Sequence, residues 1–508
     1  MKIYKIFLFF IAVFALMFAC WYLVPAEGVE VGGVKLRFPS YEAALEDLRN
    51  GNQTVDVDSV LLAVQQSYEM VREQGDTLDF YKEYLTSNPN RIHLPDDDYT
   101  FFDSFFAGLD TAAASGQLVR IVHYGDSQLE MDRISSMLRQ QLQERFGGSG
   151  PGMVPILKPM SSVSVTQNTT GSLTRYALVA DTLSRWSSTH RYGPLTRYAV
   201  LTGEARFNFK RAENRYAQER VRGISKVSVL FGHNAPGLKM SLKCDTLSLM
   251  TESVDSAVNG VSVVSWDLPY SVKGGTLSLN GTAEIYGIML DGGPGVTVDN
   301  VAMRGCSGTI LSGIDSVSLR ESYEKTDTRL IILQFGGNAM PGIGSKKAIS
   351  IYMDKLEKQF DYFKKVAPWA KLMFVGPADM SKSVNGSLVT WPLLPELNDS
   401  LKVHCLNNGI AYWDTFNMMG GVGSMREWVN HNPQLAGPDY IHFTTRGAAE
   451  VGSALAKSLL LYDDFRHLRL TLSDQAVREY MDSLTDKTPV AQIDSSLRPS
   501  TGSGHSSE

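Results

Sequence analysis

Cysteine is scarce in this chain of 508 residues, which contains only Cys20, Cys244, Cys306 and Cys405. Four cysteines give no indication of a disulfide framework, and no Cys/His spacing resembles a zinc site. Basic residues are not in excess either, because 48 Lys and Arg stand against 54 Asp and Glu, a formal charge of −6. The composition therefore offers no basic surface for nucleic acid.

The N-terminus carries a long apolar run. Lys2 and Lys5 precede the uncharged residues 6–24, and Glu27 and Glu30 follow them. This run is about long enough to cross a hydrocarbon core of ~30 Å. Lysines before the run predict a cytoplasmic N-terminus and an exported, periplasmic or envelope body. Since the run exceeds the apolar core of most cleaved signals, it favours an uncleaved membrane anchor, with a cleaved signal peptide as the alternative.

The rest of the chain predicts an α/β fold interrupted by a β-rich insert. Apolar strands alternate with amphipathic helices from Leu118 and again from Val296, which indicates a three-layer domain around a parallel sheet. Short alternating runs separated by Asn and Gly turns between them indicate a jelly-roll-like β-sandwich. The predicted segments are an anchor or signal peptide at 1–27, a helical extension at 28–100, an α/β domain at 101–155 and 296–462, the insert at 156–295, and a helix with a disordered tail at 463–508.

A candidate nucleophile stands in the stretch IVHYGDSQLEMDR, which runs from Ile121 to Arg133. A buried strand ends there at Gly-Asp-Ser, and an amphipathic pattern follows. A serine hydroxyl at such a strand–helix junction lies near unpaired backbone N–H groups and the positive end of the helix dipole. Ser127 is therefore a candidate nucleophile, and a simple helix-capping role is the alternative.

Partners for such a serine follow other predicted strands. The segment AGPDYIHFTTRG contains Asp439 and His442, so a carboxylate can orient an imidazole on the same turn. Asn338 follows a buried strand, and its amide can donate to a developing oxyanion. The N–H of Gly308 can approach a substrate closely because glycine has no Cβ. Surface-loop and turn roles are the alternatives, but the four positions share the carboxyl ends of successive predicted strands.

This ordered set of motifs resembles the SGNH (GDSL-type) hydrolases over about 118–155 and 296–462. The resemblance implies Ser127 as nucleophile, His442 as base and Asp439 as its orienting carboxylate, with no metal or cofactor. It also implies an oxyanion hole formed by the Ser127 N–H, Gly308 and Asn338. Gly308 is preferred to Gly305, which stays open, because the family's glycine follows a small residue at this point.

The insert, together with FGGSGPGMVP after the first helix, resembles bacterial peptidoglycan O-acetylesterases, whose inserted jelly roll is similar to a carbohydrate-binding module. The resemblance implies removal of O-acetyl groups from an envelope glycan. An O-acetyltransferase with the same triad and a non-catalytic glycan-binding protein are the alternatives. Gln128 departs from the family's namesake, which has Leu.

Several residues are expected to contact the glycan. The predicted pocket contains Gln128, Gly337, Met418 and Trp428, the last two bounding a Gly-rich loop. Aromatic side chains that could stack on sugars, or could instead fill cores, are Trp186, Tyr192, Trp266 and Trp428.

Overall fold

The structure is a computed structural model that describes residues 55–74, 78–179, 181–384 and 386–472, together with residues 13, 29–31, 34–36, 477 and 479–481. Apart from residue 13, the predicted membrane segment at 6–24 lies outside the described residues, as does the predicted disordered tail. Among the described residues, no helix is both long and apolar enough to cross a membrane.

The described strands and helices include those predicted at 118–146 and at 296–462, together with elements that the sequence analysis does not predict. The described strands are β1 (Val29–Val31), β2 (Val34–Leu36), β3 (Ile92–His93), β4 (Leu118–Gly125), β5 (Ser149–Val154), β6 (Val165–Ala177), β7 (Arg197–Arg211), β8 (Ile224–Asn234), β9 (Leu238–Cys244), β10 (Met250–Val254), β11 (Val258–Val272), β12 (Gly274–Gly292), β13 (Gly295–Ala302), β14 (Thr328–Gln334), β15 (Lys371–Val375), β16 (Ser381–Val384), β17 (Ser387–Thr390) and β18 (Ala411–Trp413). The described helices are α1 (Val57–Gln74), α2 (Leu78–Ser87), α3 (Asp103–Ser115), α4 (Ser135–Phe146), α5 (Ser316–Lys325), α6 (Lys346–Val366), α7 (Leu394–Asn407), α8 (Thr415–Met418), α9 (Ser424–Asn430) and α10 (Thr445–Thr471).

The central sheet has the strand order β13-β4-β14-β15-β18-β3, and all neighbouring strands are parallel except the edge pair β18–β3. The chain leaves β4 for β13 on one side and then continues to β14 on the other. Such a reversal opens a crevice at the carboxyl end of the sheet, where ligands bind in open α/β folds. The predicted α/β fold with a parallel sheet is confirmed, and its crevice lies directly beyond β4.

Both faces of this sheet are covered, which explains its nearly continuous apolar strands. Successive residues of a strand point to opposite faces. In β4, Val119 and Ile121 belong to one buried cluster together with residues of α4 and α10. Val122 and Tyr124 belong to the other, together with residues of α6. The strand is thus held rigidly on both sides, which fixes the position of the residues that follow it.

The inserted region is an antiparallel sheet built around β12. That strand pairs with β7 and β9 along its first half and with β8 and β5 along its second half. Because Ser149–Val154 pairs with β12, the β region begins before the predicted boundary at 156. Many of its side chains form a third apolar cluster, whereas others, such as Tyr198 and Tyr286, belong to the second cluster of the central sheet.

Two other boundaries differ from the sequence prediction. The final helix α10 is 27 residues long and continues past residue 462. The extension predicted at 28–100 contains the helices α1 and α2, but β3 within it joins the edge of the central sheet. Pairing of Ile92 with Trp413 therefore makes the end of this extension part of the α/β domain.

Candidate active site

The turn after β4 presents Ser127 at the carboxyl end of the sheet. A Cβ on Gly125 would lie 2.6 Å from the Leu129 side chain, so glycine allows the close turn there. Asp126 accepts a hydrogen bond from the Gln128 N–H at 2.9 Å. A short 3₁₀ turn follows, and α4 begins only at Ser135. The helix predicted to start directly at Ser127 therefore starts eight positions later, and Met131, predicted on its buried face, is 39% exposed with φ of +63°.

The structure brings Ser127 together with the predicted base. Ser127 Oγ lies 2.8 Å from His442 Nε2, although the two residues are 315 positions apart in the chain. His442 Nδ1 lies 2.7 Å from Asp439 Oδ2. The Asp439–His442–Ser127 chain of hydrogen bonds is continuous, with the imidazole oriented by the carboxylate and facing the hydroxyl. This is the arrangement in which a serine can pass its proton to a neighbouring base.

Asp439 is held in its charged form. Partial burial of this carboxyl opposes ionisation, but hydrogen bonds from the His442 N–H, the His442 ring and the Ile441 N–H outweigh burial and hold its pKa below the ordinary value. Two of these donors are backbone groups on its other oxygen, Oδ1, each at 3.0 Å. The carboxylate therefore stays negative near neutral pH and can stabilise an imidazolium formed at His442.

A cleft of about 570 Å³ opens above these residues. It is lined by residues that follow β4, β13, β14 and β15 and by the loop before α10. Of the residues predicted from sequence, the cleft is lined by Ser127, Gln128, Gly337, Asn338, Asp439 and His442. The cleft thus collects chain segments that are remote in sequence at one edge of the sheet.

The two candidate glycines after β13 are placed differently. Gly308 is buried outside the cleft lining, and its N–H donates to the Cys306 sulfur at 3.3 Å. Gly305 lines the cleft, has φ of +74° and has no atom within 4 Å of where a Cβ would stand. The structure therefore favours Gly305 over the predicted Gly308, because an N–H bonded to a buried sulfur is not available to a substrate.

Asn338 is oriented by the acid of the Gly-Asp-Ser motif. Its Nδ2 donates to Asp126 Oδ2 at 2.9 Å, which leaves the second amide hydrogen for another acceptor. Burial raises the pKa of Asp126 to about 6, while hydrogen bonds from the Gln128 N–H and from Asn338 oppose that rise. The Asp126–Asn338 pair fixes the amide at the cleft, where Asn338 itself is exposed.

The Gly-rich loop before the histidine segment does not form the predicted pocket. Met418 and Trp428 are fully buried in the apolar core and lie outside the cleft lining. Tyr192 and Trp266 are buried as well, which agrees with the core-filling alternative, whereas Trp186 is 63% exposed. The position of Met418 and Trp428 beside a Gly-rich loop therefore does not place them in the pocket, since both side chains belong to the apolar core.

Arg133, Trp391 and Asp379 are among the cleft residues that the sequence interpretation does not name. Arg133 lines the cleft and donates to three backbone carbonyls, and Trp391 lines it after the hairpin formed by β16 and β17. Asp379, fully buried, accepts from the Thr390 hydroxyl at 2.8 Å at the base of that hairpin. Trp391 follows β17, a strand of a separate two-stranded sheet that the sequence analysis does not predict. Neither Arg133 nor Asp379 carries any sequence signal beyond its residue type.

Replacing Gly308 by alanine should destabilise the fold, because the new Cβ would lie 2.6 Å from the Phe335 ring at a φ of +82°. We expect the free energy of unfolding to fall by about 2–4 kcal/mol, from overpacking and left-handed backbone strain together. The matched change Gly305→Ala, with φ of +74° and open space around the Cβ, should cost only about 1 kcal/mol. Urea unfolding measures the stability of both variants. Equal losses of stability would contradict the close packing of Gly308 and the open surroundings of Gly305.

Comparison with known proteins gives a likeness of fold. No protein-family model matches the chain, and no curated protein matches it. A solved structure of a peptidoglycan O-acetylesterase aligns with a TM-score of 0.55 at 20% identity, over 72% of this chain and 96% of the other. A family two carbohydrate esterase from Cellvibrio japonicus aligns at 9% identity over 59% and 99% of the two chains, but its TM-score of 0.24 is too low to carry an argument. The chain therefore shares its fold with a peptidoglycan O-acetylesterase of known structure, as the resemblance predicts.

Proposed function

We propose that this protein is a serine esterase that removes O-acetyl groups from a cell-envelope carbohydrate, peptidoglycan. One observation carries the proposal: Asp439, His442 and Ser127 form a continuous hydrogen-bonded chain, with contacts of 2.7 and 2.8 Å, at a cleft large enough for a sugar ring. The contacts argue against the non-catalytic alternative, because a decayed site has no reason to keep this geometry.

The proposed reaction has two steps. Ser127 Oγ forms a bond to the ester carbonyl carbon while its proton passes to His442 Nε2. The tetrahedral intermediate collapses, and the sugar alkoxide leaves with that proton. Water then attacks the acyl-enzyme and gives its proton to His442, acetate leaves, and the proton returns to Ser127 Oγ. Asp439 stabilises the imidazolium throughout.

The developing oxyanion needs donors that are in place before the reaction. We assign this role to the Asn338 amide, to the Ser127 N–H and to the N–H of Gly305, in place of the predicted Gly308. The amide of Asn338 is held by Asp126, and Gly305 lines the same cleft.

The substrate follows from the fold likeness and from the N-terminal sequence. The chain shares its fold with a peptidoglycan O-acetylesterase, and its apolar N-terminal run supports an exported body that meets envelope glycans. We further propose that the inserted β-sheet helps to hold the glycan strand beside the cleft.

Acetate release tests the function directly. The full-length protein should release acetate from O-acetylated peptidoglycan and none from the same material after chemical de-O-acetylation.

Adding an acceptor sugar together with an acetyl donor tests the transferase alternative, which predicts acetylated acceptor in place of free acetate. If none of a panel of acetylated glycans released acetate, the esterase proposal would be overturned.

Trp391 is proposed to support the sugar ring beside the reacting ester. The indole is half-buried in the cleft lining, and the Lys382 ammonium lies 4.7 Å above its ring. Trp391→Ala should raise KM for acetylated glycan about 3- to 10-fold, the scale of one lost aromatic stack. The kcat for p-nitrophenyl acetate should stay near the wild-type value, because that ester does not need a sugar platform.

A second tryptophan provides the control. Trp369 is 37% exposed, and the Arg320 guanidinium lies 5.5 Å from the centre of its ring. This tryptophan lies outside the cleft lining. Trp369→Ala should leave KM for the glycan unchanged. A similar rise in KM for both variants would contradict the role given to Trp391.

A further inference from the structure

The side chain next to the nucleophile reaches across to the loop that carries the base. Gln128 Nε2 donates to the Ile441 carbonyl at 2.7 Å, and Gln128 Oε1 accepts from the Phe443 N–H at 3.3 Å. One amide group thus bonds the backbone on both sides of His442. A leucine at this position, as in the family's namesake motif, could make neither hydrogen bond.

The Arg133 guanidinium makes a second connection between the same two segments. Its Nη1 donates to the Phe443 carbonyl at 2.6 Å, its Nη2 to the Ser127 carbonyl at 3.1 Å and its Nε to the Glu130 carbonyl at 2.9 Å. One rigid group therefore holds the residue that carries the nucleophile and the residue that follows the base. Arg133 is half-buried, and this burial lowers the pKa of its guanidinium.

The contacts of Gln128 and Arg133 fix the position of the base loop relative to the nucleophile turn, which the hydrogen bonds between Asp439 and His442 do not. Asp439 and His442 lie on one turn, so the hydrogen bonds between them orient the imidazole within its own loop. They do not fix that loop relative to Ser127, which lies 315 positions away from His442 in the sequence. A misplacement of about 1 Å between reacting groups can cost on the order of 10²-fold in rate. The loop is also bonded to the hairpin, through the Ser381 N–H and the Tyr440 carbonyl at 3.0 Å, but that contact does not involve the nucleophile turn.

We infer that Gln128 and Arg133 are positioning residues that hold His442 in register with Ser127 by bonding the nucleophile turn to the 441–443 backbone. This inference rests on the proposed esterase function. Neither side chain is required to touch the ester, and both act through the separation between the imidazole and the hydroxyl. Their effect should therefore appear in the chemical step and should depend on His442 being present.

Gln128→Met keeps the length of the side chain and removes both hydrogen bonds. With p-nitrophenyl acetate, we expect kcat to fall about 10- to 100-fold while KM changes by less than about threefold. Arg133→Lys, which keeps the charge but cannot reach three carbonyls at once, should give a loss of the same kind.

A double-mutant cycle separates positioning from a purely structural role. In the His442→Ala background, adding Gln128→Met should cost nothing further, since there is no imidazole left to position. The matched control is Gln141→Met, which removes a side-chain amide bond of 2.7 Å between α4 and Ser453 of α10, outside the cleft lining, and should leave kcat unchanged.

Each outcome decides the matter. Wild-type kcat in Gln128→Met, or an equal loss in the His442→Ala background, would overturn the positioning role. Urea unfolding measures the folded fraction of each variant. Arg133→Lys, as the milder change, decides the case if Gln128→Met folds poorly. A wild-type protein that releases no acyl group overturns the esterase function itself, and the inference with it, whereas an active wild type with an unimpaired Gln128→Met overturns the inference alone.

Discussion

Replacement of Ser127 by alanine is expected to lower kcat for ester hydrolysis by about 10⁴- to 10⁶-fold, the scale seen when a catalytic serine or its base is removed. The physical reason is that, among the described residues that line the cleft, Ser127 carries the one hydroxyl. Ser127 Oγ lies 2.8 Å from the base at the carboxyl end of β4, and water entering that space has neither its fixed position nor its direct bond to His442 Nε2. Binding of the ester does not use the hydroxyl, so KM should change little.

The measurement is initial-rate hydrolysis of p-nitrophenyl acetate and acetate release from acetylated glycan, with labelling by a fluorophosphonate as a second readout. The probe should label the wild-type protein and fail to label Ser127→Ala. Ser307→Ala is a suitable control, because that hydroxyl contacts Thr309 after β13 and lies outside the cleft lining. It should keep activity within about twofold and label normally. Full activity in Ser127→Ala would contradict the proposed mechanism.

Much of the site could be predicted from sequence because it depends on the sheet. Apolar strands such as β4 and β14 have a strong pattern, and parallel strands bring their carboxyl ends to one edge. Residues placed directly after those strands, Ser127 and Asn338 among them, must therefore lie near each other. The Asp439–His442 pair could be predicted for a different reason, because a spacing of three residues brings the two side chains together within one turn.

The sequence was a weaker guide where two neighbouring positions carry the same residue type. Gly305 and Gly308 both follow β13, and only the path of the backbone decides which N–H reaches the cleft and which meets the Cys306 sulfur. Met418 and Trp428 were misplaced because a Gly-rich loop can fold over a site or beneath it, and apolar side chains favour the buried alternative. The hydrogen bonds from Gln128 and Arg133 to the 441–443 segment go to backbone groups, which no local pattern encodes.

Replacement of Asn338 by alanine is expected to lower kcat by about 10²- to 10³-fold, the usual cost of one oxyanion donor. The amide is well suited to that role because it is already oriented. One hydrogen of Nδ2 is donated to Asp126 Oδ2 at 2.9 Å, so the amide does not have to reorganise when charge develops on the substrate. KM should change little, since the donor interacts more strongly with the oxyanion than with the ground-state carbonyl.

The Asp126 carboxyl gives this prediction a second readout. Burial raises its pKa to about 6, and the Asn338 amide opposes that rise, so Asn338→Ala should raise the pKa of Asp126 further. In the folded protein this carboxyl has a higher pKa than in the unfolded chain, where Asp titrates near pH 3.9. The stability that it contributes is present at low pH and is lost as the pH rises from about 4 through the folded value. In Asn338→Ala that loss should extend to higher pH, which urea unfolding across pH 4–8 would detect.

Controls separate the missing donor from a general disturbance of the cleft. Asn408→Ala removes an amide bond of 2.9 Å to the His404 carbonyl at the end of α7, away from the cleft, and should leave kcat unchanged. Asn338→Asp keeps the size of the side chain but replaces the donor by an acceptor next to Asp126, so it should lose at least as much activity as Asn338→Ala. An Asn338→Ala protein that kept its kcat and changed only KM would show that the amide binds substrate and does not stabilise the transition state.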